Sequence, residues 1–254
     1  LMSFVFQNKC FRPLSLYCRA LHSQYIITNE SNGAREITLN HEKTKNSLSL
    51  DMMKYLIEAI NTNKDDTSLR AIVLSAKGNV FSAGHNLKEL QSNTGLDQHK
   101  LIFTTATELM KAIIQSPVPV IAKVNSFAAA AGCQLVATCD MIVCSDTSKF
   151  STPGETACRE PITAQEAYES GLVTKVVPAS ELDNEVNRII EKIKHKSRSV
   201  ISLGKEFYYK QIDLSLMEAY KLGEDVMVKN INSNDGQEGI KSFVEKRKAV
   251  WSHE

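Results

Sequence analysis

The sequence has little of what marks several protein classes. Its six cysteines include no CxxC pair, and Cys133, Cys139 and Cys144 fall inside apolar stretches. Neither a disulfide framework nor a zinc knuckle is expected, and these thiols read as reduced core groups. The six histidines, His22, His41, His85, His99, His195 and His253, lack the short pairings of metal sites, so no metal is expected. No stretch reaches the roughly 18 apolar residues of a membrane helix. No long run of like charge occurs, and 30 basic against 29 acidic residues leave a formal charge of +1. Such a chain has no global field to draw in a polyanion, which argues against nucleic acid as a partner. What it does have is length and apolar content: 254 residues, 43% hydrophobic, enough to bury a substantial core.

One further absence is local. No acidic residue precedes Glu30, while Lys9, Arg12 and Arg19 stand among Ser, Leu and Phe. This is the composition of a mitochondrial transit peptide, assigned to residues 1–24, and it predicts a mitochondrial protein. A secretory signal wants an unbroken apolar stretch, which the basic residues interrupt. A disordered extension is the other alternative.

Beyond this segment the periodicity becomes regular. Tyr25 to Thr28 and Glu36 to Leu39 predict two strands around the Asn32-Gly33 turn. Ser49 is placed to cap a helix carrying Met53, Leu56, Ile57 and Ile60. RAIVLS, from Arg70 to Ser75, carries an unbroken apolar run without alternation, as a strand covered on both faces would. A second amphipathic helix carries Ile102, Ala106, Leu109 and Ile113, and PVPVIAKV and MIVCSD supply further strands, with a helix within AAAAGCQLVATCD between them. In the last third, Leu182, Val186, Ile189, Ile190 and Ile193 mark a helix behind a Ser180…Asp183 capping pair, and more helices follow. The expected organisation is an α/β core over 25–160 and a helical region over 161–254.

Two segments carry chemistry. In VFSAGHNL, the small residues Ser82, Ala83 and Gly84 follow an apolar pair, with Asn86 placed as a cap. AAAAGCQL likewise leaves a strand and opens a helix, so its first amides are unpaired donors at the positive end of a helix dipole. Two such turns facing each other would hold a developing negative oxygen. Either alone is more commonly just close packing.

FSAGHNLKEL, NSFAAAAGCQLVATCD, PITAQEAYESGLVTKVVP and DGQEGIKSFVEKRKAVW, in this order, together resemble the crotonase family, the enoyl-CoA hydratase and isomerase group, from about Thr38 to Trp251. The resemblance implies a spiral of ββα units, a homotrimer or hexamer, coenzyme A thioesters as ligands and a place in fatty-acid metabolism. Carried over by motif, the backbone N–H groups of His85 and Ala131 would form the oxyanion hole, each worth about 3 to 4 kcal/mol of barrier when aimed at an enolate. Ala83 would lie near the CoA moiety and Lys88 near its nucleotide end. The helix bearing Phe243 and Lys246 resembles one that closes the CoA site, sometimes from a neighbouring subunit; a solvated surface charge is the alternative for both lysines.

The chain also departs from the family. The two glutamates that hydrate an enoyl thioester fall on Gln134 and Gly154. An amide cannot serve as a general base near neutral pH, and each missing acid or base typically costs about 10² to 10⁴ in rate. Glu155 could substitute only if its loop shifts. Only ETACRE lies between Gly154 and Pro161, where the family has a longer stretch that includes a helix. Losing about four large buried side chains at roughly 1.5 to 3 kcal/mol each would remove most of a net stability of about 5 to 15 kcal/mol. Asp140 is expected to cap or to hydrogen-bond in a buried position. Ser82 has no evident triad partners.

The expectation is an acyl-CoA-binding protein without efficient hydratase activity. Two alternatives remain: an active isomerase-like or hydratase-like enzyme using another acid or base, and a regulatory subunit of a crotonase oligomer.

Overall fold

The inner strands of this chain are built to be buried on two sides. In a computed structural model, which describes residues 24–152 and 160–253, an antiparallel pair β1 (Ile26–Ser31) and β2 (Ala34–Leu39) opens the fold. The helix α1 (Leu50–Asn61) follows, with Ser49 capping it by accepting from the Met52 amide. Then come β3 (Ala71–Ala76), β4 (Val80–Ser82), α2 (Leu96–Ile114), β5 (Val120–Val124), β6 (Phe127–Ala129), α3 (Ala131–Ala137), β7 (Met141–Ser145), β8 (Lys149–Ser151), β9 (Ile162–Thr163), α4 (Ala164–Glu169) and β10 (Lys175–Val177). Four helices close the chain: α5 (Leu182–Lys194), α6 (Arg198–Gln211), α7 (Leu216–Ile231) and α8 (Asn234–Val244).

The strands sort into a six-stranded sheet, β1-β2-β3-β5-β7-β10, and a four-stranded sheet, β4-β6-β8-β9. Each successive unit gives one strand to the large sheet, the next to the small sheet, then a helix: β3-β4-α2, β5-β6-α3. This is a spiral of ββα units, as the resemblance implied, and the helical region follows it. In β3 the alternation explains the flat apolarity: Ile72 and Leu74 join the main core, while Ala71 and Val73 face Leu182, Val186 and Ile190 of α5. Lys123 fastens the same interface, pairing with Glu36 at 2.6 Å and Asp183 at 2.8 Å.

Two details differ from expectation. Ser180 does not cap α5. Pro178, with its preset φ, starts a short 3₁₀ turn closed by Glu181 N–H to the Pro178 carbonyl at 2.8 Å, and Glu181 then leads into α5 with no side-chain cap. The helical region also opens with strands, β9 and β10, before the first long helix. Asp140 does take a hydrogen-bonding role. Its carboxylate accepts from Val120 N–H and Lys205 Nζ, each at 2.7 Å, and from the Tyr209 hydroxyl at 3.3 Å. It thereby ties α6 to the start of β5. Residues 1–23, which hold nearly all of the expected transit peptide, and Gly154 and Glu155 lie outside the described residues.

Candidate functional site

The small sheet places the two small-residue segments side by side, because β4 and β6 pair in parallel, Ser82 opposite Ala128. The loop after β4 is then locked from behind by the segment 45–48. Buried Asn46 donates to the Lys77 and Val80 carbonyls at 2.9 Å each, Ala83 N–H donates to the Lys45 carbonyl at 3.0 Å, and Leu48 N–H donates to the Gly84 carbonyl at 2.8 Å. Ser82 Oγ donates to the Asn46 carbonyl and accepts from the Gly84 amide. That hydroxyl is part of the loop's scaffold, and among the described residues no triad forms around it.

Close packing brings this loop onto the first turn of α3. Gly84 has φ +86°, and a Cβ there would stand 2.9 Å from the Ala130 Cβ and 3.0 Å from the Ala131 nitrogen. Gly132 is as tightly placed: a Cβ on it would meet Ser82 at 2.6 Å. The segments therefore touch through backbone at two points, which only glycine permits. Among the described residues, no acceptor takes the amide of His85 or of Ala131. For Ala131 this follows from its place in the first turn of a helix. For His85 the local parallel bridge with Leu48 uses the carbonyl of Gly84 rather than the His85 amide.

The His85 side chain is half-buried, its ring edge-on to Phe103 with centroids 5.2 Å apart. Its Nδ1 is buried without a hydrogen-bond partner. Burial pushes this imidazole below the ordinary histidine value, against the weaker opposing pull of the Leu48 backbone and Glu89. Asn86 caps the 3₁₀ turn Leu87–Leu90 by accepting from Lys88 N–H at 3.2 Å, as its position predicted. Ala83 and Lys88 are exposed on that stretch. Gln134 is exposed on α3, one turn beyond Ala131. Phe243 and Lys246, on and just beyond α8, belong to a part of the fold packed on α6 and α7, where Phe243 is left 83% exposed.

A cavity of about 210 Å³ lies beside α3, lined by Cys133, Phe150, Thr152, Glu160, Ile162 and Leu172. It sits where the chain leaves β8 and returns to β9, at the point where the sequence is short. Cys133, Cys139 and Cys144 are free and buried. Burial raises all three thiols, Cys144 to about 12, so they are unreactive core groups. Among the described residues no cluster of His, Cys, Asp and Glu could hold a metal, and no helix is long and apolar enough to cross a membrane.

Sequence reasoning missed three features of this site. The Asn46 bracket gives no pattern in the sequence. Phe103 reads as one more apolar helix residue. Ala130 has φ +50° and ψ −125°, a conformation that a run of four alanines does not announce.

The double sheet wound from ββα units, with two backbone turns meeting at its edge, is the crotonase fold. The chain belongs to the enoyl-CoA hydratase/isomerase family, whose pattern matches residues 29–157 and 155–254. Among individual proteins it is similar to human enoyl-CoA hydratase domain-containing protein 3, mitochondrial, at 47% identity over 87% of this chain and 82% of that protein. The Xenopus laevis protein of the same name is 46% identical over 91% of this chain and 87% of its own. The crystal structure of the human protein superposes with a TM-score of 0.86 at 44% identity, over 89% of this chain and all of that one. A Mycobacterium smegmatis enoyl-CoA hydratase gives 0.84 at 33% identity, over 89% and 98%. The family match breaks and restarts at 155–157. The Xenopus alignment spans 257 positions yet covers 91% of 254 residues here, so about 26 positions of that relative have no counterpart. Both observations fit the shortening after Gly154.

Proposed function

We propose that this chain binds a coenzyme A thioester by its acyl carbonyl, accepted between the backbone N–H groups of His85 and Ala131, and that it does not efficiently hydrate an enoyl group. The observation that carries this is the backbone contact between the two turns, Gly84 against Ala131, with no acceptor among the described residues for the amides of His85 and Ala131. Donors of this kind do not depend on side chains, so they persist although Gln134 replaces one acid/base group and Gly154 the other. Polarising the carbonyl needs only the donors. Adding water needs a base and an acid that these positions no longer supply.

Family membership supports the ligand class, a fatty-acid intermediate on CoA, and a mitochondrial setting is supported by the names of the human and Xenopus relatives. Ala83 and Lys88 lie on the rim of the site and would meet the CoA moiety and its nucleotide end. Phe243 and Lys246 would complete the CoA site from a neighbouring subunit of a homotrimer or hexamer. In support of an assembly, α7 has no buried residue and exposes Leu216, Met217, Tyr220, Met227 and Val228.

Calorimetry with short- and medium-chain acyl-CoA tests the proposal. Saturable binding is expected. Ala131→Pro removes one donor and should weaken binding at least tenfold, whereas His85→Ala keeps its amide and should stay within about threefold of the parent. Folded protein without measurable acyl-CoA binding would falsify the proposal. Rapid hydration across an enoyl-CoA panel would instead favour the active-enzyme alternative, with the half-buried His85 ring as the first group to replace.

A further inference from the structure

Ala130 lies between β6 and α3 with φ +50° and ψ −125°, in the left-handed region that favours glycine. Three contacts hold it there. Its amide donates to the Ser151 carbonyl at 2.8 Å, its carbonyl accepts from Gln134 N–H at 3.1 Å, and its methyl faces the bare Cα of Gly84. Because the peptide unit is planar, ψ of residue 130 sets the direction of the next N–H. That N–H belongs to Ala131. Had Ala130 relaxed to an ordinary strand or helix conformation, the 130–131 peptide would face elsewhere and α3 could not start where it does.

We infer that Ala130 is a positioning residue: its left-handed backbone, held by β8 on one side and by Gly84 on the other, aims the Ala131 N–H at a bound thioester carbonyl. The inference rests on the carbonyl-binding function proposed above and adds to it the element that fixes the donor. Glycine could adopt the same φ without strain, but it would also explore others. The alanine methyl, with nowhere to go but against Gly84, narrows the choice.

The experiment compares two ligands on two proteins. One ligand is a short-chain acyl-CoA thioester; the other is the S-alkyl-CoA thioether of equal length, which lacks the carbonyl. The proteins are the parent chain and Ala130→Gly, each checked by thermal denaturation. The parent is expected to prefer the thioester. The variant should melt no lower than the parent, bind the thioether within twofold as tightly, and lose about tenfold of its thioester affinity. If the parent shows the preference and the variant keeps all of it, the positioning role is overturned. Equal loss of both ligands also overturns it, since that marks a merely structural residue. A parent that binds both ligands equally refutes the carbonyl site itself, and the two failures are thereby told apart.

Discussion

A methyl group at position 84 would be 2.9 Å from the Ala130 Cβ and 3.0 Å from the Ala131 nitrogen, at a φ of +86°. Gly84→Ala therefore has to push the two turns apart as well as strain its own backbone. An overpacking cost of about 1 to 3 kcal/mol is expected, together with loss of acyl-CoA binding, and urea denaturation beside calorimetry reads both. At this scale the sequence was legible where chemistry needs small residues, since Gly84, Gly132 and the turns they build stand out in FSAGHN and AAAAGCQ. It was not legible at Ala130. Alanine is the strongest helix former, so its sequence context hides a conformation imposed from outside by Ser151 and Gly84. Nor was Asn46, whose value lies in two carbonyls more than thirty residues away.

Among the elements, α6 is held to the core by a part-buried ion pair. Lys205 gives all three of its protons to protein acceptors: Asp140 at 2.7 Å, the Ile113 carbonyl at 2.8 Å and the Val118 carbonyl at 3.3 Å. Burial lowers the lysine's proton affinity, and Asp140 opposes the shift. Lys205→Met would leave Asp140 without its cation and should destabilise the fold by about 3 to 5 kcal/mol. Adding Asp140→Asn should return part of that loss in a double-mutant cycle. The last turn of the chain is tied down differently. Asp235 is buried at the start of α8 and accepts from Ser197 Oγ at 2.6 Å, from Ser252 N–H at 2.7 Å and from His253 N–H at 3.0 Å. Burial alone would raise its carboxyl, but these hydrogen bonds outweigh it and hold the group below the ordinary value. His253 is depressed by burial and by Arg70, and His85 by burial. Below about pH 6.5, the ordinary histidine value, the unfolded chain binds protons that the folded histidines refuse, so stability falls with pH. A second loss begins below about pH 4, as the unfolded form of Asp235 takes up its proton first. Urea midpoints from about pH 7.5 down to about 2.5 should show both limbs, and the double variant His85→Gln, His253→Gln should flatten the first. The strands and long helices behind these contacts were legible from apolar periodicity. Asp140 was legible as a capping or hydrogen-bonding group, though not which groups it would hold, whereas Asp235 carried no sequence signal of its own, because its partners come from distant parts of the chain.

Over the whole molecule, a cavity of about 210 Å³ with an apolar floor of Cys133, Phe150, Ile162 and Leu172 lies between β8 and β9 among the described residues. The relatives' longer segment should cover that floor. Inserting it between Gly154 and Pro161 is expected to raise unfolding stability by several kcal/mol through added burial, read as a higher urea midpoint with a larger slope. An unchanged midpoint would show that the shortened chain has already closed over the gap. The overall architecture was legible because four motifs share one order with a known family. The shortened stretch had no such guide, since the family supplies no template for it.

The two candidate donors follow neighbouring strands of one sheet, His85 three residues beyond β4 and Ala131 two residues beyond β6 at the start of α3. The parallel pairing of those strands and the contact of Gly84 with the Ala131 nitrogen fix how the two turns lie against each other. That setting belongs to the sheet and not to any acid or base, so the proposed grip on a carbonyl is a property of the scaffold that a change of reaction chemistry beside it leaves in place.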